Sequence, residues 1–211
     1  MTSEETTKTS LELERIVFFT DAVMAIVSTI LVIELALPDL SAAELASQLP
    51  DILFSMLPKF TSYALSFLII GSFWVRHHVI FSYIRKYDYR LIWLNIIFLL
   101  FLALIPFATG VLGATVFVAA SVIFYSGVVA SASVVFLLMW IHASRNNKLV
   151  PSSVPKSTIQ YEKRRSMITT ASFLLAIPAA LIDVRLSIAA WAMIPLVFGV
   201  IFRLSHRFSK S

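Results

Sequence analysis

The chain has 211 residues, 59% of them hydrophobic and only 14% charged. A soluble domain carries roughly 45–50% apolar and about 25% charged residues, so this excess is more than one core of such a size can hide. With no cysteine, disulfides and thiolate metal sites are excluded. The formal charge of +5 reads as basic residues flanking membrane spans, not as nucleic-acid binding, because no polar stretch is long enough to fold as a reader.

The first segment, 1–14, holds Glu4, Glu5, Glu12 and Glu14. A cleaved signal peptide would carry a basic start there, so this segment is expected to stay as a cytoplasmic extension. One all-α transmembrane domain is expected over 15–204, with spans at about 15–37, 54–76, 90–112, 115–142, 166–182 and 186–204, each long enough to cross a bilayer. A short cytoplasmic tail, 205–211, follows.

Between the first two spans lies the acidic "PDLSAAELASQLPD", read as a polar connection with a proline at either side. The basic, aromatic "RHHVIFSYIRKYDYR" joins spans two and three, and Gly110 and Gly113 mark a very short turn after the third. The longest connection, about 143–165, contains "SRNNKLVPSSVPKS" and "EKRR", and "DVR" makes the last tight turn. Of the 17 lysines and arginines, all except Lys59 and Arg185 fall in the N-terminal segment, the 2–3 and 4–5 loops or the C-terminal tail. The positive-inside rule therefore puts both termini in the cytoplasm. Loops this short leave no room for a catalytic domain, so function must reside within the bilayer. An inverted-repeat transporter gains no support, since the two halves show no convincing repeat, and a secondary transporter stays a lesser alternative. A Ser/His/Asp set can be named, but residue types without geometry make no triad.

Span one, "RIVFFTDAVMAIVSTILVIELALPD", carries more polarity than lipid tolerates. At about 100° per residue with Ile26 at zero, Ile33 falls at about −20°, Leu37 at +20°, Ile30 at +40° and Thr29 at −60°. These residues form one narrow aliphatic stripe with a hydroxyl on its flank. Glu34 falls near about +80°, at the stripe edge toward the outer end, and Arg15 lies below the stripe at the cytoplasmic end. The stripe fits a seam packed on neighbouring helices, or a narrow pore lined by copies of this helix that gates by dewetting. Periodicity alone does not choose.

Asp21 lies on the opposite side, near about −140°, and a carboxylate at that depth needs partners. Polar residues at the cytoplasmic ends of spans two and three are candidates: Trp74, His77, His78, Trp93 and Asn95. Adjacent helical histidines point about 100° apart, so His77 and His78 do not make a metal pair as an i, i+4 couple would. Pro106, Pro178 and Pro195 are expected to kink spans three, five and six. In span four, Gly127 and Ser131 form a small-xxx-small pair suited to close helix packing.

"RIVFFTD" (Arg15, Phe19, Thr20, Asp21) resembles the RxxxFSD signature that opens the first helix of the transmembrane-protein-175 family. "FWVRHHVIF" (73–81) and "WLNIIFLLFLALIPF" (93–107) are similar to that family's second and third spans. Thr20 departs from the usual serine but keeps the hydroxyl. The resemblance implies a potassium-permeable channel of a bacterial plasma membrane, with six-span subunits assembled as a homotetramer around a pore lined by span one. It assigns the narrowest ring to Ile26, a selectivity-related threonine to Thr29 and further rings to Ile30 and Ile33. Glu34 and Leu37 then stand at the pore mouth. It also implies that Arg15, Phe19, Thr20 and Asp21 join Trp74, His77 and Asn95 in a network within the subunit. No cofactor is implied beyond permeant potassium ions, and no catalytic residue. A proton-permeable channel of the same architecture is the alternative.

Overall fold

A computed structural model of the chain describes residues 3–115 and 118–191, and every element in it is helical. The helices are α1 (Ser3–Ile30), continued by a 3-10 turn over Leu31–Leu35, α2 (Ala42–Ser55), α3 (Leu57–Tyr83), α4 (Tyr89–Ala103), α5 (Ile105–Ala114), α6 (Ala119–Ser144) and α7 (Lys156–Ile182). A further helix begins over 184–191. Among the described residues, five stretches are long and apolar enough to cross a membrane: Thr9–Leu35, Leu57–Tyr83, Tyr89–Ala114, Ala119–Ser144 and Lys156–Ile182. Most of the expected sixth span, with Pro195 and the 205–211 tail, lies outside the described residues.

Several boundaries differ from the sequence reading for local reasons. The first helix starts at Ser3, not 15, so the acidic N-terminal segment is its first three turns. The 38–51 connection is not plain loop. Ser41 caps α2, its hydroxyl accepting from Glu44 N while the Glu44 carboxylate accepts from Ser41 N, a complete capping box. The second span runs seven residues past 76, because "HHVIFSY" continues the helix to Tyr83. The third is interrupted at Leu104. Pro106 in the first turn of α5 has no N–H to offer a preceding carbonyl, so α4 stops and α5 restarts. Gly110 and Gly113 are not turn residues; both sit inside α5. The fifth span is also longer than 166–182, since α7 winds the polar "KSTIQYEKRR" into its first turns. Pro178 lies inside α7 without ending it.

Lipid is as apolar as leucine, so helices in a bilayer associate through packing and interhelical hydrogen bonds. Both are present here. Phe73, Phe98 and Phe136 meet at the centre of α3, α4 and α6, with ring centroids 5.3–6.1 Å apart. Thr109 donates to Ser66 at 2.7 Å, and Ser66 pairs with the buried Tyr125 hydroxyl at 2.9 Å, tying α5, α3 and α6. Ser133 and Thr170 join α6 to α7 at 2.8 Å. Gly127 has nothing within 4 Å of where a β-carbon would stand. The small-residue face around it and Ser131 borders a groove with Phe101, Leu174 and Ile177 instead of seating a helix of its own subunit.

Arg76, counted above among the loop charges, is 1% exposed. Its guanidinium lies 4.7 Å over the Phe136 ring and reaches Ser166 and Thr169 of α7. Glu162 is buried along the same helix. A charge this deep needs polar partners, which makes Arg76 a tie between α3 and α7 and not a loop residue.

The basic end of the bundle is closed by a second cluster. Asp88 caps α4 by accepting from Leu91 N at 2.8 Å, and also takes Lys148 Nζ at 2.7 Å and His142 Nε2 at 2.9 Å. Arg85 N donates to Leu149 O at 2.9 Å beside it. Asn146, at φ 55, makes the left-handed turn that brings Lys148 into place, a conformation asparagine tolerates better than most residues. Burial works against ionisation of Asp88. The Lys148 ammonium, the Leu91 N–H and the His142 ring outweigh it and hold the carboxyl at about 2.

Candidate functional site

The first helix is fastened along one side and bare along the other. Thr20, Met24, Val27 and Leu31 are at most 5% exposed and fall within about 100–160° on the wheel that sets Ile26 at zero. Ile26, Ile30 and Ile33 are 56%, 42% and 66% exposed. With Arg15, Phe18, Phe19, Ala22, Ala25, Thr29 and Val32 they form a continuous uncovered face from about −120° to +40°. The fastened side packs against α3, α4 and α5.

Two polar anchors set this rotation. On one flank, Trp74 Nε1 of α3 donates to Asp21 Oδ1 at 2.9 Å, and the His78 ring stacks on Trp74. On the other, Asn95 Nδ2 of α4 donates to Thr20 Oγ1 at 2.8 Å, while His77 Nε2 donates to Asn95 Oδ1 at 3.2 Å. The Thr20 hydroxyl in turn donates to Ile16 O at 2.9 Å. The residues expected to share one network thus divide into two, because Thr20 and Asp21 leave the helix about 100° apart and meet different neighbours. His77, buried and stacked on Phe81 at 4.0 Å, takes the inner position. Trp93, also considered as a partner for Asp21, is 61% exposed. Arg15 and Phe19 join neither anchor. Arg15 reaches Glu12 at 3.4 Å on the helix surface, and Phe19 continues the uncovered stripe toward the N-terminal end of α1.

Polar atoms on the uncovered face are few. Thr29 Oγ1 donates to the carbonyls of Ala25 and Ile26 at 3.0 and 2.9 Å. Its proton is thereby occupied, and its oxygen lone pairs are left for whatever approaches. Beyond Ile30 the helix tightens. In a 3-10 turn residues advance about 120° each, so Ile33 eclipses Ile30 and stays on the stripe, whereas Glu34 swings from about +80° to about +160°. The sequence reading, which assumed an unbroken α-helix, put Glu34 at the stripe edge. The structure turns it toward α5, over Gly110. Leu37, past the turn, remains exposed.

Comparison with known proteins matches these elements. Residues 15–106, which carry both anchors and the stripe, match the family described as Endosomal/lysosomal potassium channel TMEM175. A potassium channel of Streptomyces collinus is 29% identical over 191 residues, covering 88% of this chain and 90% of that one. A potassium channel of Chamaesiphon minutus is 28% identical over 194 residues, covering 90% and 94%. The fold superposes on the crystal structure of a lysosomal potassium-selective channel TMEM175 homolog from Chamaesiphon minutus. The TM-score is 0.79 at 25% identity, covering 90% of this chain and 97% of that one. Over residues 15–106 the chain resembles the TMEM175 family. This is a family of multi-pass ion channels, not of enzymes. The agreement with the TMEM175 homolog spans nearly the whole chain, so α6 and α7 share the architecture although the family match stops at 106.

Proposed function

We infer that this chain is one subunit of a homotetrameric, potassium-permeable cation channel of the cell membrane, with both termini cytoplasmic. The reading rests on the uncovered face of α1: two anchors hold the helix so that the stripe bearing Ile26, Ile30 and Ile33 has no cover from the described residues of its own subunit. Four copies around an axis would cover that stripe with itself. Ile26, Ile30 and Ile33 then form successive apolar rings, narrow enough to gate by dewetting, and Thr29 presents hydroxyl oxygens between them. No ring of carbonyls replaces the hydration shell, so potassium is preferred over sodium only modestly. Leu37 flanks the outer mouth, and Arg15 and Phe19 the cytoplasmic one. Conduction on this reading uses no cofactor.

Reconstituted protein tests it through ion flux. Ile26→Asn wets the narrowest ring and should raise potassium and sodium leak in liposomes by about tenfold or more, since one polar ring removes a barrier of about 1.4 kcal/mol or more. Unchanged flux in both ions would overturn the pore assignment. Thr29→Ala should shift the reversal potential toward sodium under bi-ionic conditions with the rings intact. If current follows a pH gradient and not a potassium gradient, the conducted ion is the proton.

A further inference from the structure

Glu34 is the one carboxylate of α1 and its 3-10 turn placed beside the outer half of the isoleucine stripe, and its seat is unusual. A β-carbon built on Gly110 of α5 would overlap Glu34 Oε2 and stand 2.6 Å from its Cδ. The side chain therefore lies against bare backbone, in space that only glycine leaves empty. Gly71 and Gly127 have nothing comparable near them. Two features of the structure lead to this seat: the 3-10 turn over Leu31–Leu35 rotates Glu34 toward α5, and Gly110 makes room for it.

We propose that Gly110 is a positioning residue for Glu34, holding its carboxylate against α5 and off the outer end of the conduction path. The claim rests on the pore reading above for its consequence, but not for its geometry. Gly110 lies within a regular helix and has no positive φ, so alanine there disturbs no backbone conformation. The atoms it meets are the far end of a flexible side chain, and that side chain must move. Open space beside it lies in the groove that Glu34 shares with Ile26 and Ile30, and a carboxylate near a membrane surface extends toward water. Gly110→Ala thus returns four negative charges per tetramer to the outer mouth, where they concentrate cations.

The test is a pair of measurements on the full-length reconstituted channel. Carboxyl footprinting with carbodiimide and glycine ethyl ester, read by mass spectrometry, reports the seat without any current. Glu34 should label more slowly than the exposed Asp39 in the parent and approach it in Gly110→Ala. Equal Glu34 labelling in parent and variant would overturn the seat. Single-channel conductance reports the consequence. Gly110→Ala should raise inward potassium conductance about twofold at roughly 20 mM salt and hardly at all at about 0.5 M, where the Debye length shrinks to a few ångströms. Glu34→Ala should abolish that gain, because alanine at 110 then fits with no charge to displace. The same gain in a Glu34→Ala background would show that Gly110 acts through helix packing, and would overturn the proposal. Altered labelling with no conductance change would refute the electrostatic role alone, whereas failure of Ile26→Asn to alter flux refutes the pore itself.

Discussion

The Thr20–Asn95 hydrogen bond is the most direct test of what fixes α1, because a double-mutant cycle isolates it. Single substitutions do not discriminate. Thr20→Val keeps the shape and removes the hydroxyl, leaving the buried Asn95 amide without its acceptor. That penalty is about 1–3 kcal/mol in soluble cores, but interhelical hydrogen bonds in membranes average about 0.6 and reach about 1.7 kcal/mol. Thr20→Ser keeps the hydroxyl yet loses a fully buried methyl, worth up to about 0.8 kcal/mol, so the two variants could look alike. The cycle with Asn95→Ala separates them. Asn95→Ala should cost about 1 kcal/mol less in the Thr20→Val background than in wild type, since half of what it breaks is already gone. In the Thr20→Ser background its cost should be unchanged. Unfolding by SDS titration in mixed micelles, followed by tryptophan fluorescence, measures the parent, the single variants and the doubles alike. Equal costs of Asn95→Ala in wild type and in the Thr20→Val background would refute the anchor.

Two further outcomes follow from the packing. Asp88 is held at about 2, below its ordinary 3.8, so its ionised form favours the folded state. That contribution is complete above about pH 5 and lost as pH falls toward 2; partial solvent screening limits it to the order of 1 kcal/mol. Asp88→Asn should remove this part of the acid sensitivity while keeping a side chain able to cap α4, and acid titration of detergent-solubilised protein would reveal an unaltered profile if the cluster is idle. Gly113 and Gly127 should respond oppositely to alanine. At Gly113 a β-carbon meets Ser62 Oγ at 2.7 Å and the Lys59 backbone at 3.1 Å, an overpacking cost of about 1–3 kcal/mol. At Gly127 it meets nothing, so the entropic gain of up to about 1 kcal/mol should show as equal or higher thermal stability. Matching losses at both sites would mean that another subunit packs closely on Gly127.

The sequence by itself determined the class of this protein. Its apolar content, the spacing of its spans, the stripe from Ile26 to Leu37 and the placement of Asp21 away from that stripe are all local periodicities, legible because one helix repeats its faces at a fixed angle. The "RIVFFTD" opening was likewise enough to suggest the family, and the comparisons agree. Tertiary structure decided what depends on two elements meeting. Nothing in the sequence of α1 says that its 3-10 turn rotates Glu34 toward α5, because that turn forms against neighbouring helices. Gly110 reads as punctuation until the helix that crosses it is known. Arg76 counted as a loop charge because hydropathy cannot see Ser166 and Thr169, ninety residues away, waiting to receive it. Thr20 and Asp21 are adjacent in sequence, yet one is held by α4 and the other by α3, since adjacent residues leave a helix about 100° apart and only packed neighbours decide what each direction meets.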